Sequence, residues 1–582
     1  MLLGLASLLA PPTIHASAGI LGLLFLGLSR GPARTVSPAH APPLLLGTKL
    51  LLCLVGLEAL FLAARLWLFP PRILDALTYH LPPAVQWYHL GAIPAILETG
   101  VTRVDSMALG STLLSLWAFT LLGHDALIEL PHFLWALLLL PLTRELAGRL
   151  GVSRPWAWTC AALAFTTPAV LLQADTALDH LALGVSTLAA LLCLLRWLES
   201  GRRLHLLVFA LASGLMLGYK LSAPLHLGVF WLGAWWVRRG SASPHKPLLE
   251  PAPRLLPNLG LAASLSLVLG GYWYLRNLLV HGRPQGNFHH PMFDFSPGSE
   301  AGYLGYHLGL LGQNLTDLPS RLLDGEAWFS PDLPFMSGFG PQFFTFGLLG
   351  LVWTLVGLRE KTARARLAHL PMLCSLALLL QYFWLYATPF SYRLYLFLPP
   401  CALAAGFAAL EHTGAFRHKG KRLFLAALAL GSGLWSITMT ALPLTHQPDF
   451  MPTFLALPRE HRTVANFLPI TPAHLPYRFL ANAVAADEPL AYVGGEDDWS
   501  YVFVDPAWRR RLVHLEDACL ETSTPGTQRL APRCAHRLAA AGVRLLCTCR
   551  YTSCAVLEPG SGTLLVPGLY LVPLPGEATH AP

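Results

Sequence analysis

The segment Asp75-Ala76-Leu77-Thr78-Tyr79-His80-Leu81-Pro82 sets a carboxylate, a phenol and an imidazole close together in the chain. If the segment is helical, Asp75 and Tyr79 share a face at the i, i+4 spacing. A carboxylate partly withdrawn from water holds its proton more tightly, which suits a general base acting on a hydroxyl. The competing reading is a helix N-cap at a membrane interface. Tyr79 and His80 are candidate substrate contacts beside it. A second acidic group, Asp175-Thr176-Ala177-Leu178-Asp179-His180, again spaces two carboxylates at i, i+4. Two such clusters meeting at one site would divide base chemistry from substrate or metal binding, and they would admit a divalent ion as cofactor. If they do not meet, they are solvated surface acids. Asp75, Asp175 and Asp179 are therefore the candidate catalytic residues.

Three cations form the second chemical group: Lys220 in Leu217-Gly218-Tyr219-Lys220-Leu221-Ser222, Arg276 in Trp273-Tyr274-Leu275-Arg276-Asn277, and Arg393 in Ser391-Tyr392-Arg393-Leu394-Tyr395. Each is flanked by aromatic residues at the end of an apolar stretch. Cations bordered by aromatic and aliphatic side chains suit a phosphate carried on a long hydrocarbon tail. The alternative is that they snorkel to the interface without a ligand.

The elements that must position these residues follow from composition. The chain has 582 residues, of which 54% are hydrophobic and 12% charged, whereas a soluble chain carries about 25% charge. Apolar stretches occupy 2–28, 44–69, 106–147, 156–172, 181–198, 204–220, 221–237, 259–280, 341–358, 368–388, 394–410 and 423–444, which predicts an all-α polytopic membrane protein of about twelve spans. Residues 1–28 lack the basic start and small-residue cleavage site of a signal peptide and are read as a retained span.

Basic residues cluster in alternate loops: Arg30, Arg34 and Lys49; Arg196, Arg202 and Arg203; Arg238, Arg239, Lys246 and Arg254; Arg359, Lys361, Arg364 and Arg366; and Arg417, Lys419, Lys421 and Arg422. Such loops face the cytoplasm. Their phase puts 70–105, 173–180, 281–340, the turn near 388–393 and everything after 444 outside. Arg144, Arg149 and Arg154 require 106–147 to cross an odd number of times, so one of the two halves divided at Gly123-His124-Asp125 is re-entrant or interfacial. Basic residues spread over short loops also argue against a nucleic-acid partner.

The chain divides into a membrane domain, 1–444, and a small α/β domain, 445–582, outside the cytoplasm. In the latter, strand-like runs fall at 489–494, 501–504, 511–515, 543–548 and 563–573, with helical patterns near 458–468 and 529–541. Its cysteines are Cys519, Cys534, Cys547, Cys549 and Cys554. Two disulfides with one thiol left over are expected in an oxidising compartment. A zinc site is the alternative, although Cys547-Thr548-Cys549 lacks the spacing of a paired-ligand knuckle.

The order of Asp75-Ala76-Leu77-Thr78-Tyr79-His80-Leu81-Pro82, Gly214 to Lys220 as Gly-x-x-x-Gly-x-Lys, Trp273-Tyr274-Leu275-Arg276-Asn277, Gly338-Phe339-Gly340-Pro341 and Tyr392-Arg393-Leu394-Tyr395 resembles bacterial members of the GT-C glycosyltransferase superfamily. The similarity is to relatives of the dolichyl-phosphate-mannose protein mannosyltransferases and of the lipid A aminoarabinose transferase, and it covers about residues 44–410. It implies transfer of a sugar from a polyprenyl-phosphate donor to an envelope lipid, glycan or protein acceptor at the extracytoplasmic face of a bacterial inner membrane. It also implies that Asp75 is the first-loop catalytic aspartate, Asp175 or Asp179 a second acidic position, and Lys220 and Arg393 donor-phosphate contacts. The chain departs from the pattern in having Asp75-Ala76 where many relatives have adjacent acids, and Gly282-Arg283-Pro284 where they have Gly-Asn-Pro. A carrier or flippase for lipid-linked saccharides and a non-catalytic envelope-assembly component are the competing classes.

The alternation of basic loops fixes a topology that cysteine labelling tests. With an impermeant reagent, single cysteines placed in 281–340 and in 445–582 should react from outside while those in 359–366 and 416–422 stay protected. Labelling of both sets from one side would contradict the assignment.

Overall fold

The computed structural model describes residues 43–71, 75–97, 102–239, 255–286, 300–323, 338–360, 362–385, 392–445, 474–493, 500–515, 519–524, 527–548, 555–557, 563–567 and 569–572, with Ile73, Ala456, Leu457 and Arg462. Along the first described helix, α1 (Leu46–Leu68), the buried residues Thr48, Leu51, Val55, Glu58, Leu62 and Arg65 recur at three- and four-residue steps and form one face. Leu46, Leu50, Leu57 and Leu60 lie exposed on the remainder. In water an apolar outer face of this kind would be costly; in a bilayer it is the lipid-facing surface.

The bundle continues through α2 (Leu81–Leu90), α3 (Gly110–Leu122), α4 (Leu130–Arg149), α5 (Arg154–Phe165), α6 (Pro168–Ala174), α7 (His180–Ser200), α8 (Arg203–Tyr219), α9 (Ala223–Arg239), α10 (Leu255–Gly270) and α11 (Tyr272–His281). It is completed by α12 (Glu300–Leu323), α13 (Gly340–Gly357), α14 (Ala363–Leu385), α15 (Leu398–His412) and α16 (Lys419–Thr445). Among the described residues six helical segments are long and apolar enough to cross a membrane: Leu46–Leu68, Asp125–Arg149, His180–Ser200, Gly340–Gly357, Ala363–Trp384 and Lys419–Ala441. Two further pairs qualify only together, α5 with α6, bent by 62°, and α10 with α11, bent by 69°. The chain is an integral membrane protein. Within the described residues each apolar segment expected from 44 onward coincides with one helix or with two successive helices, and the one at 2–28 lies outside the described residues. Within 106–147, α3 is shorter than a span, and only the second half reaches crossing length.

The bend between α5 and α6 has a local cause. Pro168 starts α6 without an N–H to give to the preceding turn, while the Thr166 and Thr167 hydroxyls donate back to the Leu163 carbonyl at 3.3 and 3.2 Å. α7 is buried along most of its length and forms the centre of the bundle. α8 and α10 cross so closely that a Cβ on Gly270 would overlap the Gly214 carbonyl, the use of small residues by which membrane helices gain packing contact. α12 falls in a stretch read from the sequence as loop. His307 Nδ1 lies 2.7 Å from the Trp384 carbonyl and Asn314 Nδ2 donates to the Phe383 carbonyl at 2.7 Å, so α12 caps the end of α14.

The two ends of the bundle differ chemically. At one, Arg196 Nη2 meets Glu145 at 2.8 Å, Arg149 pairs with Glu145 and Glu199, and Arg366 Nη1 donates to the Trp236 carbonyl at 2.7 Å. The other carries the acidic loops and the C-terminal α/β unit. This unit has a five-stranded sheet in the order β2-β1-β5-β7-β6, from β1 (Leu490–Val493), β2 (Leu512–Leu515), β5 (Leu545–Cys547), β6 (Thr563–Val566) and β7 (Leu569–Leu571). β1 runs parallel to β2 and β5, and β7 antiparallel to β5 and β6. α17 (His474–Ala483), α18 (Pro532–Ala540) and a separate hairpin of β3 (Leu520–Thr524) and β4 (Thr527–Leu530) complete it.

The expected strand at 501–504 is absent: residues 501–503 belong to a 3₁₀ turn, Ser500–Phe503, and Val504 follows it in a bend. The chain closes on itself there because the Asp505 carboxylate accepts from the backbone N–H of Ala507, Arg509 and Arg510 at 3.2, 2.6 and 3.0 Å. Trp508 takes a left-handed φ of 53° at this loop and stacks on Phe119 of α3 at 3.8 Å, while Asp125 N–H donates to the Pro506 carbonyl at 2.9 Å. The helix expected at 529–541 is confined to α18, its first residues forming β4. Apart from Arg462, the pattern at 458–468 lies outside the described residues.

Cys519 and Cys534 form a disulfide that ties the start of β3 to α18, with Cα atoms 5.7 Å apart. Cys547 is buried in β5, and Cys549 and Cys554 lie outside the described residues. Peptide mapping without reductant should recover Cys519 joined to Cys534, and Cys534→Ser should destabilise the unit by about 3 kcal/mol on the chain-entropy account. Recovery of both as alkylated thiols would contradict the pairing.

Candidate active site

Beyond α1 the chain turns at Pro70-Pro71, and Asp75 opens a π turn over Ala76–His80 that runs directly into α2. Pro82 and Pro83 have no N–H to return to the Thr78 and Tyr79 carbonyls. The turn widens accordingly, and Leu81 N–H reaches back five residues to the Ala76 carbonyl. Single π turns of this kind gather at functional sites. Ala76 through His80 are all buried.

Asp75 Oδ2 lies 3.0 Å from Arg393 Nη1. Arg393 stands on a 3₁₀ turn, Tyr392–Tyr395, held by its two buried tyrosines: Tyr392 meets Phe339 edge-on at 5.1 Å and Tyr395 meets Tyr382 at 5.2 Å. A second pair lies close by. Lys220, at the end of α8, places Nζ 3.3 Å from Asp179 Oδ1 and 2.9 Å from His180 Nδ1. An ammonium can only donate, so His180 Nδ1 accepts. The Lys220 carbonyl in turn receives the Tyr274 hydroxyl at 2.9 Å.

The two pairs form one electrostatic unit. Lys220 feels Arg393 and Asp75 as well as Asp179, and His80 feels Asp179, Asp75, Lys220 and Arg393. Burial pushes the Tyr79 hydroxyl well above its ordinary value, reinforced by Asp75. Burial likewise pulls His80 down, against the pull of Asp179 and Asp75. Both side chains are therefore neutral hydrogen-bonding groups in the folded protein, and His80 Nδ1 is buried with no hydrogen-bond partner among the described residues. The structure thus brings Asp75, Tyr79, His80, Asp179, Lys220 and Arg393 together.

Asp175 and Arg276 are engaged elsewhere. Asp175 and Asp179 do not share a helix: one ends α6, the other precedes α7, and the residues between are non-helical. Asp175 Oδ2 meets Arg65 Nη2 at 2.6 Å, both side chains buried, which joins α6 to the last turn of α1. Arg276 stacks over Trp273 at 5.0 Å and gives its Nη2 hydrogens to the Asp105 and Met107 carbonyls and to Asn277 Oδ1. Asn277 Nδ2 donates to the Ser106 and Pro284 carbonyls at 2.6 and 3.1 Å. Together they clamp the helical turn Thr102–Ser106.

That turn carries a residue missed in the sequence, Arg103, whose guanidinium lies 4.8 Å over the Tyr79 ring. The available signal was a basic residue in a loop that the charge pattern puts outside, although Arg103 lacks the flanking aromatics of the other three cations. His132 was missed as well. It is fully buried in α4, within electrostatic reach of His80 and Asp179, and neither ring nitrogen has a hydrogen-bond partner among the described residues. An ionisable residue inside an apolar span was the available signal. With Arg103, the cluster sets three cations against two carboxylates. Among the described residues no three His, Cys, Asp or Glu side chains are placed to hold a metal ion; Asp75, Asp175 and Asp179 face Arg393, Arg65 and Lys220 instead.

No protein-family model matches the chain, and no curated protein sequence matches it. Solved structures do. The structure of ArnT from Cupriavidus metallidurans bound to undecaprenyl phosphate aligns at 13% identity over 81% of this chain and 86% of that chain, with a TM-score of 0.50. The apo form aligns at 14% identity over 80% and 85%, with a TM-score of 0.44. The oligosaccharyltransferase of Archaeoglobus fulgidus tethered to an acceptor peptide aligns at 13% identity over 79% and 63%, with a TM-score of 0.39. The likeness to the first of these establishes the fold: an all-α membrane bundle of the GT-C type with a small C-terminal α/β unit.

A neutral buried histidine has a consequence for stability. Below the ordinary histidine value of 6.5 the unfolded chain protonates His80 while the folded chain resists, so the folded state loses stability as pH falls through that range. His80→Gln should make the acid side of the stability profile shallower, measured as the unfolding midpoint between about pH 7 and 5. An unchanged acid slope would show that His80 is not held neutral.

Proposed function

We propose that the chain is a membrane glycosyltransferase that moves a sugar from a polyprenyl-phosphate donor to an envelope lipid, glycan or protein acceptor. The observation that carries this reading is the joining of Asp75–Arg393 and Lys220–Asp179 in one buried cluster, on a fold shared with a protein solved with undecaprenyl phosphate. In this reading the acceptor hydroxyl attacks the anomeric carbon and the bond from that carbon to the donor phosphate breaks. Asp75 takes the hydroxyl proton, and polyprenyl phosphate leaves. Arg393 aims the Asp75 carboxylate and, with Lys220, meets the phosphate charge that grows as the bond breaks. Asp179 holds Lys220 in place. Tyr79 and His80, neutral and buried, orient sugar or acceptor hydroxyls. Phosphate contacts spread over Lys220, Arg393 and Arg103 need no ion to offset the donor charge, while leaving open a divalent metal brought with substrate. The site lies at the extracytoplasmic face of a bacterial inner membrane, a placement supported by the basic loops at the far end of the bundle.

Purified protein given a polyprenyl-phosphate sugar labelled in the sugar should release polyprenyl phosphate and label a second molecule. Movement of the intact donor between leaflets without bond cleavage would instead make the chain a carrier. Asp75→Asn should depress turnover by about 10²- to 10⁴-fold with donor affinity nearly kept. Lys220→Ala should raise the donor concentration for half-maximal rate by about ten- to a hundredfold. Arg393→Ala should change both, because the same guanidinium serves base and donor. Near-normal turnover of Asp75→Asn would overturn the base assignment.

A further inference from the structure

Behind the charged cluster, four buried polar side chains form a hydrogen-bonded chain across the bundle: Thr187 of α7, Ser222 just before α9, His226 within α9 and Tyr382 of α14. The chain has a direction. Thr187 owns one hydroxyl hydrogen, and its nearest acceptor is the Leu183 carbonyl at 2.8 Å. His226 Nδ1 therefore donates to Thr187 Oγ1 at 3.1 Å. A neutral imidazole donates from one nitrogen only, so Nε2 accepts from the Tyr382 hydroxyl at 3.4 Å. The Tyr382 oxygen in turn receives the Ser222 hydroxyl at 3.0 Å. Tyr382 is the point at which this chain meets the supports of both Lys220 and Arg393. Ser222 lies two residues beyond Lys220, in a turn closed by the Ala223 N–H on the Lys220 carbonyl at 3.1 Å. On its other side the Tyr382 ring stands edge-on to Tyr395 at 5.2 Å, and Tyr395 shares its 3₁₀ turn with Arg393. His226 makes a parallel link, its ring edge-on to Phe397 at 5.4 Å.

We propose, resting on the donor reading of Lys220 and Arg393, that Tyr382 is a positioning residue that sets the spacing between these two cations. A phosphate gripped by two cations gains from both only if they stand at the right separation, and fixing that separation beforehand lowers the cost of binding. Lysine makes the requirement acute, because its ammonium rides on a flexible four-carbon stem. The stem of Lys220 springs from the turn that Ser222 ties to the Tyr382 hydroxyl, while the Arg393 turn rests on the Tyr382 ring. One side chain thus holds one support by its hydroxyl and the other by its ring, without touching the phosphate. A chain that merely satisfied its own buried groups would stabilise the bundle and leave affinity for the donor unchanged.

The test titrates the full chain in an uncharged detergent with undecaprenyl phosphate, reading the dissociation constant and the number of sites per chain together. Tyr382→Phe deletes the hydroxyl and keeps the ring against Tyr395. It should weaken binding by about three- to tenfold with the number of sites unchanged. That penalty should shrink below about twofold in Lys220→Ala and likewise in Arg393→Ala, because spacing matters only while both cations grip one phosphate. Ser222→Ala removes the same hydrogen bond from its other end and should also weaken binding, which keeps the test open should one variant fold poorly. Unchanged affinity in both Tyr382→Phe and Ser222→Ala would overturn the proposal. So would fewer sites at unchanged affinity, or a Tyr382→Phe penalty kept in full in either cation variant. Absence of binding in the parent, or binding that neither Lys220→Ala nor Arg393→Ala weakens, would overturn the donor reading itself and the role of Tyr382 with it.

Discussion

Charge withdrawn from water must find a partner, and the arrangement of this bundle follows from how it does so. Arg65, Asp75, Asp175, Asp179, Lys220 and Arg393 are all buried or nearly so, and each lies within 3.3 Å of an opposite charge. Breaking such a pair by removing one member costs about 3–5 kcal/mol, because the survivor is left buried and uncompensated. The pairs therefore act as constraints on which helix ends may meet. Arg65 with Asp175 joins α1 to α6, Asp179 with Lys220 joins the start of α7 to the end of α8, and Asp75 with Arg393 joins the first outer loop to the turn before α15.

The same constraint separates structural from reactive charge. The Arg65–Asp175 pair is dry and short, with both side chains at or below 6% exposure, and suits a permanent lock. The Asp75–Arg393 and Asp179–Lys220 pairs keep between 11% and 16% exposure per side chain. Each cation keeps enough access to meet an incoming phosphate while its carboxylate stays beside it. Arg276 and Asn277 stand a step behind, holding the turn that lays Arg103 over Tyr79.

Much of this was legible in the sequence, and what was not has physical reasons. Ionisable residues stand out against long apolar runs, so Asp75, Asp179, Lys220 and Arg393 could be named from type and position. Their pairing could not be, because the partners lie far apart in the chain and only the packed bundle brings them together. A misplaced cation signals only that it is paired, not with what, which is why Arg276 read as a phosphate contact but clamps backbone carbonyls. Asp175 and Asp179 looked like one helical face because the break between α6 and α7 leaves no proline or glycine in the stretch between them. In the C-terminal unit, Tyr501-Val502-Phe503-Val504 has strand composition, yet Asp505 gathers the following N–H groups and bends the chain into a turn. The β3–β4 hairpin is too polar to show the alternation by which strands are recognised, and α12, although amphipathic, carries glycines that lower its helix propensity.

The central claim is that Lys220, held by Asp179, and Arg393, paired with Asp75, together receive the donor phosphate while Asp75 stands beside the reacting carbon. A cryo-electron microscopy map of the protein with polyprenyl phosphate tests it most directly. The account predicts phosphate density within hydrogen-bonding distance of both Lys220 Nζ and the Arg393 guanidinium. Phosphate bound elsewhere, beyond the reach of both cations, would contradict it.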